Sequence, residues 1–255
     1  MENRRRFLNG LAATAGFDPA LIDRPGTVTC PNPERADTGI VTCYWAGEHA
    51  VVWGDPQLLA QLSDLNGLPT AIDQDTASAR FAELGSVYVA SADMRLQPGP
   101  PPVPPAIPDG YRQRWLRADA PADVDEVRAL AARNDPEEVE EAGLEELDDF
   151  AERAINVLVP ARGDIEGRIV AYASACDWDW DPNFCDIGVL VELPHRARSL
   201  GSLVVAHTAA ALAAEDRVPL YRHGHYNQGS RKVAEANGFE IATTMIFHAP
   251  PDPEG

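Results

Sequence analysis

The chain has 255 residues, 45% hydrophobic and 24% charged, with a formal net charge of −19. That length and composition give one large or two small globular domains with a substantial core, and the charge excludes a basic nucleic-acid-binding surface. No apolar run approaches the roughly 18–20 residues of a membrane span. The four cysteines (Cys30, Cys43, Cys176, Cys185) show neither CxxC nor zinc spacing, so a cytoplasmic protein with free thiols is expected.

Arg4-Arg5-Arg6-Phe7-Leu8 resembles a twin-arginine export signal, but the segment after it is short, weakly apolar and interrupted by Asp18. An amphipathic helix over residues 3–15 is the expected reading. Val41–Trp45 and His49–Trp53 form a hairpin of strands around Ala46-Gly47-Glu48. Asp55-Pro56 starts a helix through Leu58, Leu59 and Leu62. A strand-like Leu68–Ile72, a helix over 74–84 and a strand at Ser86–Ala90 follow. Seven prolines between Gln97 and Gly110 then mark a semi-rigid spacer. The domains are thus residues 1–97, a linker 98–110, a second domain 111–248 and a tail 249–255.

In the second domain, Tyr111–Leu116 alternates as a strand and Ala120-Pro121 opens a helix. An acidic helical stretch runs from Asp135 to Glu152. Strands at Asn156–Pro160, Arg168–Cys176 and Asp186–Val191 come next, with Cys176 and Cys185 placed about a hairpin where they could face each other. After the third strand, His195-Arg196-Ala197-Arg198-Ser199-Leu200-Gly201-Ser202 is a small-residue loop leading into an apolar helix that runs to about Glu215. A strand, such a loop and a helix N-terminus make an anion site, because the first helical N–H groups lack partners and the helix dipole favours negative charge. Strand Pro219–His223, a helix over Gln228–Asn237 and strand Phe239–Phe247 complete the domain. Three consecutive strands at its centre exclude a simple doubly wound fold, which would alternate strand and helix.

Two segments carry a resemblance. Arg196-Ala197-Arg198-Ser199-Leu200-Gly201 resembles the acyl-CoA pyrophosphate loop [RQ]-x-x-G-x-[GA] of the GCN5-related N-acetyltransferases (GNAT), with Ser199 in place of the first glycine. Asn227-Gln228-Gly229-Ser230, continuing to Asn237-Gly238-Phe239, resembles the same family's N-x-x-S…G-F segment. The resemblance covers about residues 111–248. It implies a mixed-sheet α/β acyltransferase fold, acetyl-CoA as co-substrate and no metal. It further implies direct attack of the primary amine of a small molecule or peptide on the thioester in a ternary complex; a monomer or homodimer that binds neither nucleic acid nor membrane is expected. A non-catalytic acyl-CoA sensor is the alternative.

Carried over residue by residue, the resemblance puts the cofactor on Val189, Val191, Arg196, Ala197, Arg198, Ser199, Leu200, Gly201, Ser202, Asn227 and Ser230, with a backbone N–H near Val191 for the thioester oxygen. The family's usual tyrosine acid falls on Ala234, so Ser230 is the first candidate for that role and Tyr226 the second. Glu192 and Asp186 are candidate bases, and His223 and His225 have suitable intrinsic pKa values. The acids Asp135, Glu137, Glu138, Glu140, Glu141, Glu145, Glu146, Asp148, Asp149 and Glu152, with Trp178 and Trp180 on one face of an extended strand, suit a cationic amine. The first 97 residues read as a degenerate acyltransferase half, or alternatively as a dimerisation or lid module.

Overall fold

The computed structural model describes residues 2–117, 120–144, 154–163, 165–178 and 180–251. Its first elements are α1 (Glu2–Ala15), β1 (Gly26–Pro31), β2 (Val41–Ala46), β3 (His49–Gly54), α2 (Pro56–Gln61), α3 (Gln74–Glu83) and β4 (Val87–Leu96). Then come β5 (Tyr111–Leu116), α4 (Pro121–Ala131), α5 (Pro136–Glu141), β6 (Ala154–Pro160), β7 (Ala171–Trp178) and β8 (Asp181–Val191). The chain closes with α6 (Leu200–Ala214), β9 (Val218–Gly224), α7 (Gln228–Ala236) and β10 (Glu240–Ala249). It divides into two compact units, residues 1–94 with 224–226 and 241–255, and residues 95–223 with 227–240.

In the first unit the strands run β1-β3-β2-β10-β4. β1 and β3 are parallel, while β2 pairs antiparallel with both β3 and β10. Val41, Cys43, Val52 and Ile246 pack under Leu59, Leu62 and Phe81. Residues 241–248, assigned from the sequence to the second domain, thus fall in the first unit. Leu68–Ile72 does not form a strand: an isolated bridge from Leu68 to Thr27 is its only pairing among the described residues, consistent with Pro69 lacking an N–H for the ladder. β1 itself had no sequence signal, being short and bounded by Gly26 and Pro31.

In the second unit the order is β9-β8-β7-β6-β5. β5 to β8 are antiparallel neighbours and β9 joins β8 in parallel, across the crossover helix α6. Strand alternation separates two cores. Ala171, Ala173, Ala175, Cys185 and Ile187 pack with α6 through Leu200, Val204 and Leu212. Tyr172 and Leu190 pack with α4 and α5 through Val127, Leu130 and Ala142. Gly188 belongs to the second face by the same alternation, and a Cβ there would sit 2.3 Å from the Ala142 carbonyl oxygen. Its backbone therefore lies directly beneath the end of α5.

Two sequence expectations change here, and a third falls partly outside the described residues. Cys176 is opposite Asp186 and Cys185 opposite Asp177, so the two thiols point to opposite faces of the sheet; both are free. β7 ends at Trp178 and Trp180 lies in the turn, packed edge-on against Trp178 at 5.0 Å between centroids. The acidic helix is α5 alone among the described residues; Glu145, Glu146, Asp148, Asp149, Glu152 and Asp179 lie outside them.

Candidate active site

β8 and β9 pair only from Phe184–Asp186 against Val218–Leu220. Beyond that the two parallel strands part, and the gap opens into a cleft of ≈ 440 Å³ lined by Ile187 to Val191 on one side and Tyr221 and Arg222 on the other. Parting strands leave backbone N–H groups without ladder partners, which is what a thioester oxygen or an extended amide chain can use.

The loop after β8 feeds the same cleft. Ala197, Ser199, Leu200, Gly201 and Ser202 line it, together with Arg196, Val189, Val191, Asn227 and Ser230. Ala197 and Ser199 both have left-handed backbones, at φ 57° and 59°. Serine thus occupies a conformation that glycine would adopt without steric cost. The 15-residue α6 starts at Ser199 with no side-chain cap, so its first N–H donors are left for an anion. Gly201 is tightly enclosed, a Cβ there meeting Val191 Cγ2 at 3.3 Å and Val233 Cγ2 at 3.5 Å.

The cleft's charges are arranged differently from the sequence expectation. Arg196 donates to both carboxylate oxygens of Glu138 at 2.6 Å and through Nε to the Val191 carbonyl at 2.9 Å. Glu138 in turn is held below the usual glutamate range by that guanidinium. Arg196 therefore ties α5 to the end of β8. On the other side of the cleft, Asn227 caps α7 through its Oδ1, 2.9 Å from the Ser230 N–H, and donates from Nδ2 to Glu141. Arg198 is outside the cleft lining and reaches the Tyr111 hydroxyl at 3.3 Å. Lys232, the sole lysine of the 255 residues, lines the cleft. His195 lines it too, 8% exposed, and burial pushes its imidazole below the ordinary value.

The proton-transfer candidates separate clearly. The Ser230 hydroxyl lies 2.8 Å from the Tyr221 hydroxyl, and both residues line the cleft. Tyr221 is fully buried on β9; burial raises its pKa, opposed by the Ser230 hydrogen bond and reinforced by the nearby carboxylates of Asp186 and Glu141. Glu192 is not in the cleft lining: its carboxylate is bound by Arg133 at 2.8 Å and Arg168 at 3.1 Å, behind β8. Tyr226 is 77% exposed, packs edge-on against His225 and is likewise absent from the lining. His223 and His225 do not act together. His223 Nε2 accepts from Arg95 at 2.9 Å, and His225 lies 3.1 Å from Asp93. Asp186 pairs with Arg222 Nε at 3.1 Å.

Tyr221, Arg222 and Lys232 had no role in the sequence reading. The isolation of Lys232 in a chain with 21 basic residues was a usable signal. Tyr221 had none, because its contact with Ser230 joins two different elements.

No protein-family model and no curated protein sequence matches the chain. Solved structures do. The tandem GNAT protein from the clavulanic acid biosynthesis pathway is similar at 16% identity over 98% of this chain and 96% of that one, with a TM-score of 0.51. A GCN5-related N-acetyltransferase-like protein from Streptococcus suis gives 13% identity, 98% and 99% coverage and a TM-score of 0.50. A GCN5-related N-acetyltransferase from Kribbella flavida aligns with 69% of this chain and 64% of its own length, at 17% identity and a TM-score of 0.49. With two of these likenesses running through almost every residue, the chain has the fold of the GCN5-related N-acetyltransferases.

Proposed function

We propose that the second unit is an acyl-CoA-dependent N-acyltransferase that passes acetyl from acetyl-CoA to a primary amine. The observation that carries this reading is the meeting, in one cleft, of an uncapped helix N-terminus and two parted parallel strands. The first suits a pyrophosphate and the second an extended acyl-pantetheine arm. With Arg196 spent on Glu138, Lys232 serves as the cation that meets the phosphates.

Each step then has a named group. The backbone N–H groups of β8 between Gly188 and Val191 receive the thioester oxygen as it gains charge. The amine nitrogen bonds to the carbonyl carbon, and its proton passes to the carboxylate of Glu141, which lines the cleft. The carbon–sulfur bond breaks, and the departing sulfur takes a proton from Tyr221 through Ser230. Tyr221 is placed for that task by its hydroxyl, 2.8 Å from that of Ser230 in the cleft lining, while burial, by raising its pKa, makes the phenol a weaker acid. This pair fills the role vacant at Ala234, which favours an enzyme over a non-catalytic sensor. The first unit is read as a non-catalytic half of the same fold. The reading includes a cytoplasmic monomer or homodimer.

Thermal unfolding with and without acetyl-CoA tests the cofactor assignment. A ligand at 100 times its Kd adds about 2.7 kcal/mol and must raise the Tm; an unchanged Tm at millimolar acetyl-CoA removes the reading.

A further inference from the structure

We propose that the acceptor is an amino acid, a short molecule carrying a primary amine and a free carboxylate, and that Arg222 binds the carboxylate. This rests on the acyltransferase reading above and adds the acceptor class to it.

The argument begins with strand alternation on β9. Tyr221 packs into the core on the α6 face, so Arg222 points to the opposite face, with Asp186 and α5. Arg222 lines the cleft, and its side chain is 52% exposed. Two contacts fix the plane of its guanidinium: Nε donates to Asp186 at 3.1 Å, and the group lies over the Trp178 ring, 5.7 Å from the centroid. Neither terminal nitrogen has a protein hydrogen-bond partner among the described residues. An oriented guanidinium with both ends of its fork open is matched to a carboxylate, which it can take through two parallel hydrogen bonds.

The same contacts argue against a simple cationic amine as acceptor. One face of Trp178 is covered by Arg222, and Trp180 packs at right angles to the same ring. Of the acids on α5, Glu138 is neutralised by Arg196, whereas Glu141 accepts from the neutral amide of Asn227 and keeps its charge. What remains is charge of both signs close together. Glu141 lines the cleft together with Tyr221 and Ser230, favouring an ammonium beside the reacting groups, while Arg222 offers a cation one residue along the strand. A zwitterion satisfies both.

The test compares each amino acid with its own primary amide, which keeps the amine and removes the carboxylate charge. CoA release is followed at saturating acetyl-CoA, and acetyl-CoA affinity is measured separately by calorimetry. The expected result is a preference in kcat/KM of about 10- to 100-fold for the free acid, as for other truncations of a hydrogen-bonded charge pair. Arg222→Ala erases the preference through KM while acetyl-CoA affinity holds, and Arg222→Lys restores part of it. Amides used as well as acids, or Arg222→Ala slowing both series equally, would overturn the proposal and leave the acyltransferase reading standing. Failure of acetyl-CoA to bind would overturn both.

Discussion

In the first unit, α2 and α3 each start at an aspartate whose carboxylate accepts a helical N–H, Asp55 from Gln57 and Asp73 from Thr76, both at 2.8 Å. In the second, α6 starts at a serine in a left-handed conformation that caps nothing. The difference is one of electrostatics rather than of fold. A capping aspartate supplies from within the chain the negative charge and the acceptor that a bound anion would otherwise bring. α2 and α3 are therefore complete as they stand, whereas α6 opens into a cleft with no side-chain cap on its first donors. Within the second unit α5 and α7 are capped in the same way, by Asp135 and Asn227, so α6 is the exception among these three helices.

The largest effect expected from this contrast is at Gly201. Gly201→Glu places a carboxylate and bulk where the phosphates belong, and acetyl-CoA affinity by calorimetry is expected to fall by about 100-fold or more, the scale of like-charge contact. Retained affinity would show that the loop is not the phosphate site. Lys232→Ala should weaken acetyl-CoA by about 10-fold and flatten its salt dependence, as loss of one solvated cation does. S-acetyl-pantetheine, which lacks the nucleotide and its phosphates, should bind as before; equal loss of both ligands would place Lys232 elsewhere in recognition. Asp55→Ala is the converse experiment. It should lower stability by about 1–2 kcal/mol, read from denaturant unfolding, with acetyl-CoA affinity unchanged. The smallest effect belongs to Ser199→Gly. Removing a left-handed serine relieves about 1–2 kcal/mol, against about 0.5–1 kcal/mol of added chain entropy. The net gain should be at most about 1 kcal/mol, and acetyl-CoA should bind at least as well. A loss of affinity would assign the Ser199 hydroxyl a direct contact.

The two units also differ in how much of them could be read from residues alone. The second carries its signals locally: an apolar strand, a small-residue loop and a helix within Ile187–Ala214, then Asn227 to Phe239 with a cap and a glycine stop. Each is set by short-range backbone chemistry, so the order of its elements was legible. The first unit is completed by a strand some 150 residues beyond β4 in sequence, β10, and includes β1, whose glycine and proline ends hide it. Neither follows from local pattern. The active-site chemistry divides in the same way. Ser230 was visible because its helix start is a local motif. Tyr221 was not, because only the fold brings β9 to α7. Arg196 lines the cleft where the sequence put it, but its pairing with Glu138, 58 residues away, could not be read locally, nor could the pairing of Glu192 with Arg133 and Arg168.

The central claim is that the cleft of the second unit transfers acetyl to an amine with Tyr221 as proton donor. It is tested most directly by following free CoA thiol from acetyl-CoA over a panel of amino acids and other amines, for the natural chain and for Tyr221→Phe. The expected result is amine-dependent CoA release that falls about 100-fold in kcat on loss of the phenol, the scale of general acid catalysis, with acetyl-CoA binding unchanged. Tight acetyl-CoA binding with no CoA release for any amine would contradict the claim, and so would a Tyr221→Phe enzyme that turns over at the natural rate.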